Sequence, residues 1–217
     1  MSTKVIIVAG GLLDDLQGLI DTNEDKQLVI GVDAGAITLI NAGIAVDIAI
    51  GDFDSITEDE WQLLKQEVKQ IHKLPSDKDL TDTEAALVYV AEEIKDIQEI
   101  KLLGLFGGRV DHMMSNLWLA YQPRFHGILD KIIILNKSNS LRFFHPGDYQ
   151  LNKENDKEYL SFIGLTEIIE LSLANVKYPL NKTNYAYPIA LVSNEFQEDT
   201  MTFSFKKGLL AVIQSAD

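Results

Sequence analysis

The sequence has no cysteine, which excludes disulfides, thiolate nucleophiles and cysteine-ligated zinc and fits a reducing compartment. No apolar run approaches the ~18 residues of a membrane span. The opening Met1-Ser2-Thr3-Lys4-Val5-Ile6-Ile7-Val8 carries one basic residue and a short apolar run that ends at a glycine pair, so it reads as a first strand and not as a signal peptide. The expected compartment is the cytoplasm. Positive charge is scarce: 19 Lys and Arg face 33 Asp and Glu, for a formal net charge of −14, and the only arginines are Arg109, Arg124 and Arg142. This balance disfavours nucleic acid and anionic membranes as partners, because both are held through Lys and Arg clusters. A small anion bound locally remains compatible with it. Internal repeats and low-complexity tracts are also missing.

What is present suits a soluble globular chain. Of 217 residues, 46% are hydrophobic and 24% charged, enough core material for one large or two small domains. Up to about Asn136, short apolar runs alternate with segments of helical spacing. Strands are expected at 5–9, 28–32, 48–50, 71–74, 100–105 and 132–135, and their βα order predicts an α/β domain over 1–136 with a doubly wound parallel sheet. The evenly apolar runs predict strands buried on both faces. Beyond it, β-rich stretches at 141–144, 159–163, 168–173, 192–196, 200–205 and 209–213 predict an antiparallel β-sandwich domain over 137–217. Pro146-Gly147-Asp148 and Lys206-Lys207-Gly208 read as turns.

The densest chemistry lies between Gly51 and Glu84. Asp52 and Asp54 follow the apolar run Ile48-Ala49-Ile50; in an extended segment alternate side chains share a face, so these two would face one hard cation. Asp77, Asp79, Asp82 and Glu84 follow one crossover later. If both segments end parallel strands, they meet at the carboxyl edge of the sheet, where open α/β folds place ligands. A metal and phosphate site is the inference. Capping explains part of the pattern, since Thr57 with Glu60 and Thr81 with Glu84 both have capping-box spacing. It does not explain Asp77, Asp79 and Asp82, whose crowding costs stability unless a cation or solvent screens it. Asp33, in Asp33-Ala34-Gly35, reads either as a helix N-cap or as another carboxylate at the same edge. Gly10-Gly11 lacks the third glycine of a dinucleotide fingerprint and reads equally well as a plain turn.

A second loop, Gly104 to His112, combines Gly107 and Gly108, which allow close backbone approach to a ligand, with Arg109, a planar fork for phosphate oxygens. Asp111 lies near the start of a helix through Asn116 and Leu119. Here too a structural reading exists: a glycine turn, Asp111 as cap and His112 as an ordinary side chain.

Taken together, Gly51-Asp52-Phe53-Asp54-Ser55, Asp77-Lys78-Asp79-Leu80-Thr81-Asp82, Gly107-Gly108-Arg109-Val110-Asp111-His112 and Ser193-Asn194-Glu195-Phe196 resemble, in order and spacing along almost the whole chain, the thiamine pyrophosphokinase family. The resemblance implies transfer of a diphosphoryl group from ATP to the hydroxyethyl oxygen of thiamine, giving AMP and thiamine diphosphate. It implies an α/β nucleotide domain, a β-sandwich, and a homodimer with active sites between subunits. It implies Asp52, Asp54 and Asp82 as Mg²⁺ ligands, and Asp33, Asp77, Lys78, Thr81, Gly107, Gly108, Arg109, Asp111, His112 and Asn116 around the polyphosphate or its metal shell. Asp52, Asp54, Asp82, Arg109 and Asp111 would form the catalytic set, with Asp82 or Asp111 as proton acceptor. On the thiamine side, Ser193 would bond the aminopyrimidine with Asn194 beside it, and Tyr178 would stack on that ring. The acidic net charge would favour approach of the cationic thiazolium. One departure stands out. The family commonly has glycine before the aromatic segment and often tryptophan within it, where this chain has Ala174-Asn175-Val176-Lys177-Tyr178; tyrosine keeps a flat π face of smaller area.

Two other readings compete. A phosphatase of the haloacid dehalogenase type also carries Asp-x-Asp after a strand, but Ser55-Ile56 and a β-only second half do not supply its remaining groups. A non-catalytic nucleotide or thiamine sensor would keep the pockets and lose metal ligands, whereas Asp52, Asp54 and Asp82 are all present.

Overall fold

The computed structural model describes residues 2–13, 15–21, 26–77 and 79–217. The chain divides into two compact units, residues 1–137 and 138–217.

In the first unit the chain runs β1 (Thr3–Val8), α1 (Leu16–Leu19), β2 (Gln27–Val32), α2 (Ala34–Asn41), β3 (Ile48–Gly51), α3 (Glu58–Glu67), β4 (Gln70–Lys73), α4 (Asp82–Glu93), β5 (Ile97–Leu103), α5 (Val110–Trp118) and β6 (Ile132–Leu135). The strands lie in the order β6-β5-β1-β2-β3-β4, and every adjacent pair is parallel. The chain steps outward from β1 to β4, then returns to place β5 on the other side of β1. A topological switch point therefore falls between β1 and β5, where the connecting loops part and leave a crevice.

Alternation along the strands divides the core. Ile6, Val8, Val29 and Ala49 join Leu16 of α1, Ala36 and Leu39 of α2 and Leu64 of α3 in one buried cluster. Outside that cluster α4 packs on β2 and β3 with Ala86, Leu87 and Val90 buried. Truncating a fully buried leucine such as Leu39 or Leu64 to alanine costs roughly 2–5 kcal/mol. Both predicted capping boxes form: Thr57 with Glu60 starts α3, and Thr81 with Glu84 starts α4. The expectation of strands buried on both faces fails at β4, where Gln70 and Lys73 are exposed. As the sheet's end strand in this unit, β4 has a neighbour on one side only, so its polar side chains reach solvent.

The second unit contains β7 (Asn139–Phe144), β8 (Gly147–Asn152), β9 (Tyr159–Gly164), β10 (Ile168–Ala174), β11 (Leu180–Tyr185), β12 (Ile189–Asn194), β13 (Thr200–Phe205) and β14 (Leu210–Ser215). Antiparallel runs β12-β9-β14-β7 and β11-β10-β13-β8 share one core. Leu160 and Phe162 of β9 and Leu210 and Val212 of β14 meet Leu171 and Leu173 of β10 and Met201, Phe203 and Phe205 of β13. The ring of Phe203 is the hub, with Phe144, Tyr149 and Phe162 centroids at 5.0, 5.1 and 5.6 Å. Two strands were not expected, β8 and β11. Gly147, read as part of a turn, opens β8. Among the described residues no helix is long and apolar enough to cross a membrane.

Candidate active site

At the switch point the loops after β1 and β5 are tied together. The Ala9 N–H donates to the Leu103 carbonyl at 2.9 Å and the Gly11 N–H to the Gly104 carbonyl at 3.1 Å. Beside this tie lies a cavity of about 600 Å³, walled by the carboxyl ends of β1, β2, β3 and β5 and by the first turns of α4 and α5. The glycine pair, which in sequence reads as a weak phosphate-cradling signal or equally well as a plain turn, thus forms a wall of it. Ser55, Thr83 and Ser115 also line it; these hydroxyls carry no distinguishing spacing in the sequence.

On one side the cavity is acidic. Carboxylate oxygens of Asp33, Asp52 and Asp82 all lie within 4.8 Å of one another. Asp33 occupies the N-cap position of α2 but makes no cap bond. With φ at 49° it turns away, and its Oδ1 accepts the Phe53 N–H at 3.1 Å. Gly51 makes room for this: a Cβ there would sit 1.9 Å from Asp33 Oδ1. Burial pushes the Asp33 carboxyl up to about 7, the nearby Asp82 and Asp52 push the same way, and the Phe53 N–H partly offsets them.

Asp52 and Asp54 do not alternate along an extended strand as expected. The strand ends at Gly51, and Phe53 takes a left-handed φ of 59°, burying its ring against Trp61. Asp54 consequently sits exposed on the turn, lining the cavity, with its N–H donated to Asp52 Oδ1 at 3.1 Å. The three-carboxylate group is instead completed by Asp33. Two like charges no more than 4.8 Å apart repel by at least roughly 3 kcal/mol at an effective dielectric of 20. Such a set needs a bound proton or a hard cation, and its all-oxygen donors suit Mg²⁺.

The glycine-arginine loop lines the same cavity. Gly107 and Gly108 both have left-handed φ, 85° and 71°, conformations open to glycine at little cost. Arg109 sets its fork on Asp111, Nε to Oδ1 at 3.1 Å and a terminal nitrogen to Oδ2 at 2.6 Å. This bond holds the Asp111 carboxyl at about 2, far too acidic to serve as a proton acceptor while the pair is closed. Both side chains are largely exposed. His112 lines the cavity and donates its N–H to Asp111, while buried Asn116 donates to the Leu105 carbonyl at 3.4 Å and so fastens the loop to α5.

Of the remaining nucleotide candidates, Thr81 reaches the cavity, but its hydroxyl accepts the Glu84 N–H at 3.2 Å and acts as the α4 cap. Glu84 returns the bond to the Thr81 N–H at 2.8 Å and also accepts from the Gln122 amide. Asp77 is exposed and is not part of the cavity wall. Lys78 lies outside the described residues. In the second unit Tyr178 is 58% exposed, Ser193 is exposed with φ 58°, and Asn194 is buried. Before the aromatic segment Asn175 takes a left-handed φ of 59°, which asparagine tolerates better than most residues.

Comparison with known proteins covers both units. Residues 20–132 match the family model for the thiamin pyrophosphokinase catalytic domain, and residues 148–210 that for the thiamin pyrophosphokinase vitamin B1 binding domain. A curated thiamine pyrophosphokinase of Bacillus subtilis (strain 168) is 42% identical over 216 residues, 97% of this chain and 98% of that one. Among solved structures, a thiamin pyrophosphokinase family protein from Enterococcus faecalis superposes with a TM-score of 0.92 at 36% identity, covering 99% of this chain and 100% of its own. Thiamine pyrophosphokinase from Bacillus subtilis does so at 0.86 and 36%, with coverage of 99% and 100%. With each unit matched by a model of the same family and full-length relatives above 35% identity, the chain belongs to the thiamine pyrophosphokinase family.

Proposed function

We propose that the acidic centre and the glycine-arginine loop form the diphosphoryl-transfer site, taking ATP with Mg²⁺ and passing its terminal diphosphoryl group to the hydroxyethyl oxygen of thiamine, with AMP as the other product. The observation that carries this reading is the convergence of Asp33, Asp52 and Asp82 within 4.8 Å in the same cavity as Gly107, Gly108 and Arg109. In it, residues 1–137 are the nucleotide and metal domain and residues 138–217 the thiamine domain. The haloacid dehalogenase and sensor readings find no support in the family matches.

Asp33, Asp52 and Asp82 would hold the ion, with Asp54 beside them on the cavity wall. Bound there, Mg²⁺ would neutralise phosphate oxygens and stabilise charge on the departing AMP oxygen. The protein's own contribution is positioning. Gly107 and Gly108 let backbone N–H groups approach the polyphosphate, and Arg109 exchanges its Asp111 partner for phosphate oxygens, to which its fork is equally matched. Release of Asp111 from Arg109 raises its proton affinity, so the alcohol proton has an acceptor in Asp82 or in a freed Asp111. Tyr178 and Ser193 would take the aminopyrimidine by stacking and hydrogen bonding.

Two copies would pair as a homodimer. What supports pairing is an apolar face on and after α5, where Val110, Met114, Trp118 and Tyr121 are 65, 43, 48 and 42% exposed, a concentration that marks interaction surfaces. Sedimentation equilibrium at micromolar protein reads the mass directly, and a monomer would refute it. The function is tested by AMP release from ATP and Mg²⁺ with and without thiamine, for the wild type and Asp82→Asn. Thiamine-dependent AMP with thiamine diphosphate as co-product, lost in the variant, is the expected result. AMP or phosphate release that is indifferent to thiamine overturns it.

A further inference from the structure

We infer that Asn194 is a positioning residue that fixes the backbone under the Tyr178 ring and makes no contact with thiamine itself; the inference rests on the reading of Tyr178 as the aromatic platform for thiamine.

The argument begins with strand alternation. Strand β12 pairs with β9 through Leu191↔Phe162 and then Asn194↔Leu160, so three steps on β12 match two on β9. The extra residue is a β-bulge, a device that re-aims side chains. Without it, Ser193 would share the side of Leu191 and Asn194 would be turned outward. With it, and with Ser193 in the left-handed region, Val192 and Ser193 are both exposed and Asn194 is only 5% exposed. The bulge thus presents serine to solvent and takes the neighbouring amide out of it.

Buried there, the Asn194 amide is spent on backbone groups. Its Oδ1 accepts the Tyr178 N–H and the Glu195 N–H, both at 2.9 Å, which uses both lone pairs of the oxygen. Its Nδ2 donates to the Tyr178 carbonyl at 3.0 Å. The segment before Tyr178 is strapped to the segment after Asn194 by a bridge between Val176 and Phe196. Hydrogen bonds run from the Lys177 N–H to the Glu195 carbonyl and from the Gln197 N–H to the Asn175 carbonyl, both at 3.0 Å. That ladder cannot continue past Tyr178, because Pro179 has no N–H to give. The side-chain amide takes the place of the missing strand partner, holding both backbone polar groups of Tyr178. The ring of Tyr178, 58% exposed, therefore stands on a backbone that Asn194 fixes at Tyr178 itself, between the Val176 bridge and the start of β11 at Leu180.

The test is a double-variant cycle on thiamine kinetics. Asn194→Ala and Tyr178→Ala should each raise the KM for thiamine, by up to about tenfold if one aromatic contact is at stake, with the KM for ATP unchanged. Combined, they should do no more than Tyr178→Ala alone, since an amide that acts only through the ring has nothing left to position. A KM for the double variant equal to the product of the single effects means direct contact with thiamine and overturns the inference, as does a Tyr178→Ala variant with wild-type KM. Asn194→Asp, which keeps the acceptor and loses the donor, should fall between wild type and alanine, and it serves if the alanine variant does not fold. Amide hydrogen exchange reads the latch without turnover: protection at Tyr178 and Glu195 should drop in the Asn194 variants, and unchanged protection overturns the inference. A wild type with no thiamine-dependent AMP formation refutes the proposed reaction instead, while the exchange measurement still decides the latch.

Discussion

Asp33→Asn in the absence of divalent ions is the sharpest probe of the acidic centre. The Asp33 carboxyl moves from its ordinary 3.8 up to about 7 through burial, with Asp82 and Asp52 adding to it. The unfolded chain releases this proton near 3.8 and the folded one holds it to about 7, so between these values the folded state binds more protons. Stability is then full below about pH 4, falls as pH rises to about 7, and levels off above. At 1.36 kcal/mol per pH unit the loss is at most about 4 kcal/mol, and partial solvent access brings it to about 2–4 kcal/mol. Asparagine keeps an acceptor for the Phe53 N–H and removes the charge. In EDTA the variant should match wild type at pH 4 and exceed it at pH 8 by about 2–4 kcal/mol, with each kcal/mol worth about 2–4 °C in Tm for a chain of this size. Thermal melts across that pH range, followed through the first unit, make the comparison. Mg²⁺ should narrow that gap at pH 8, since wild type gains about 2.7 kcal/mol at a hundredfold excess over Kd and the variant gains less. A Tm difference that is the same at pH 5 and pH 8 without metal would refute the reasoning, because the Asp33 charge would then carry no cost in the fold.

Gly51→Ala should cost thiamine-dependent AMP formation about a hundredfold with the circular dichroism spectrum retained, because the new Cβ would lie 1.9 Å from Asp33 Oδ1; activity within threefold of wild type would show that the carboxylate can move freely. Thr81→Ala should lower stability by about 1 kcal/mol through loss of the α4 cap and leave the KM for ATP unchanged, whereas a raised KM at unchanged Tm would assign the hydroxyl to the nucleotide. Arg109→Ala should lower kcat/KM for ATP by about a hundredfold. In the same variant the Asp111 carboxyl should rise from about 2 toward ordinary values in an NMR titration, and a value that stays low would mean that Arg109 is not what depresses it.

Most of the first unit is legible in the sequence because its strands are short apolar runs separated by helices with written start signals. The capping boxes at Thr57 and Thr81 form as their spacing implies, and the run at 132–135 coincides with β6. The elements that escaped are the ones burial does not mark. Strands β8 and β11 are edges of their sheet; β8 alternates exposed with half-buried residues, and β11 carries exposed Asn181, Lys182 and Asn184 among half-buried ones. Asn181, Lys182 and Asn184 in β11 are poor strand formers taken alone, held there by pairing with β10. For the same reason β4, apolar only at Ile71, is more exposed than its place in a parallel sheet suggests.

The candidate site follows a different logic, because its decisive features are departures from regular structure. Period-two reasoning pairs Asp52 with Asp54, and it holds only while the backbone stays extended; one left-handed residue, Phe53, ends that and lets Asp33, some twenty residues earlier, close the group with Asp52 and Asp82. Asp33 in turn reads in sequence either as a cap or as a carboxylate of the same edge, and only the missing cap bond and the Phe53 N–H distinguish the two. At the other candidate site a bulge at Val192 and Ser193 exchanges the faces of serine and asparagine. In each place a non-glycine residue with positive φ, Asp33, Phe53 or Ser193, carries a conformational cost of about 1–3 kcal/mol that regular structure would avoid. Such costs persist where surrounding contacts over-determine them, as the Phe53 and Trp61 packing does at the acidic turn and the Asn194 amide does beside Ser193. The motif residues are therefore visible in sequence as identities, while their division of labour is set by three backbone angles that no periodicity encodes.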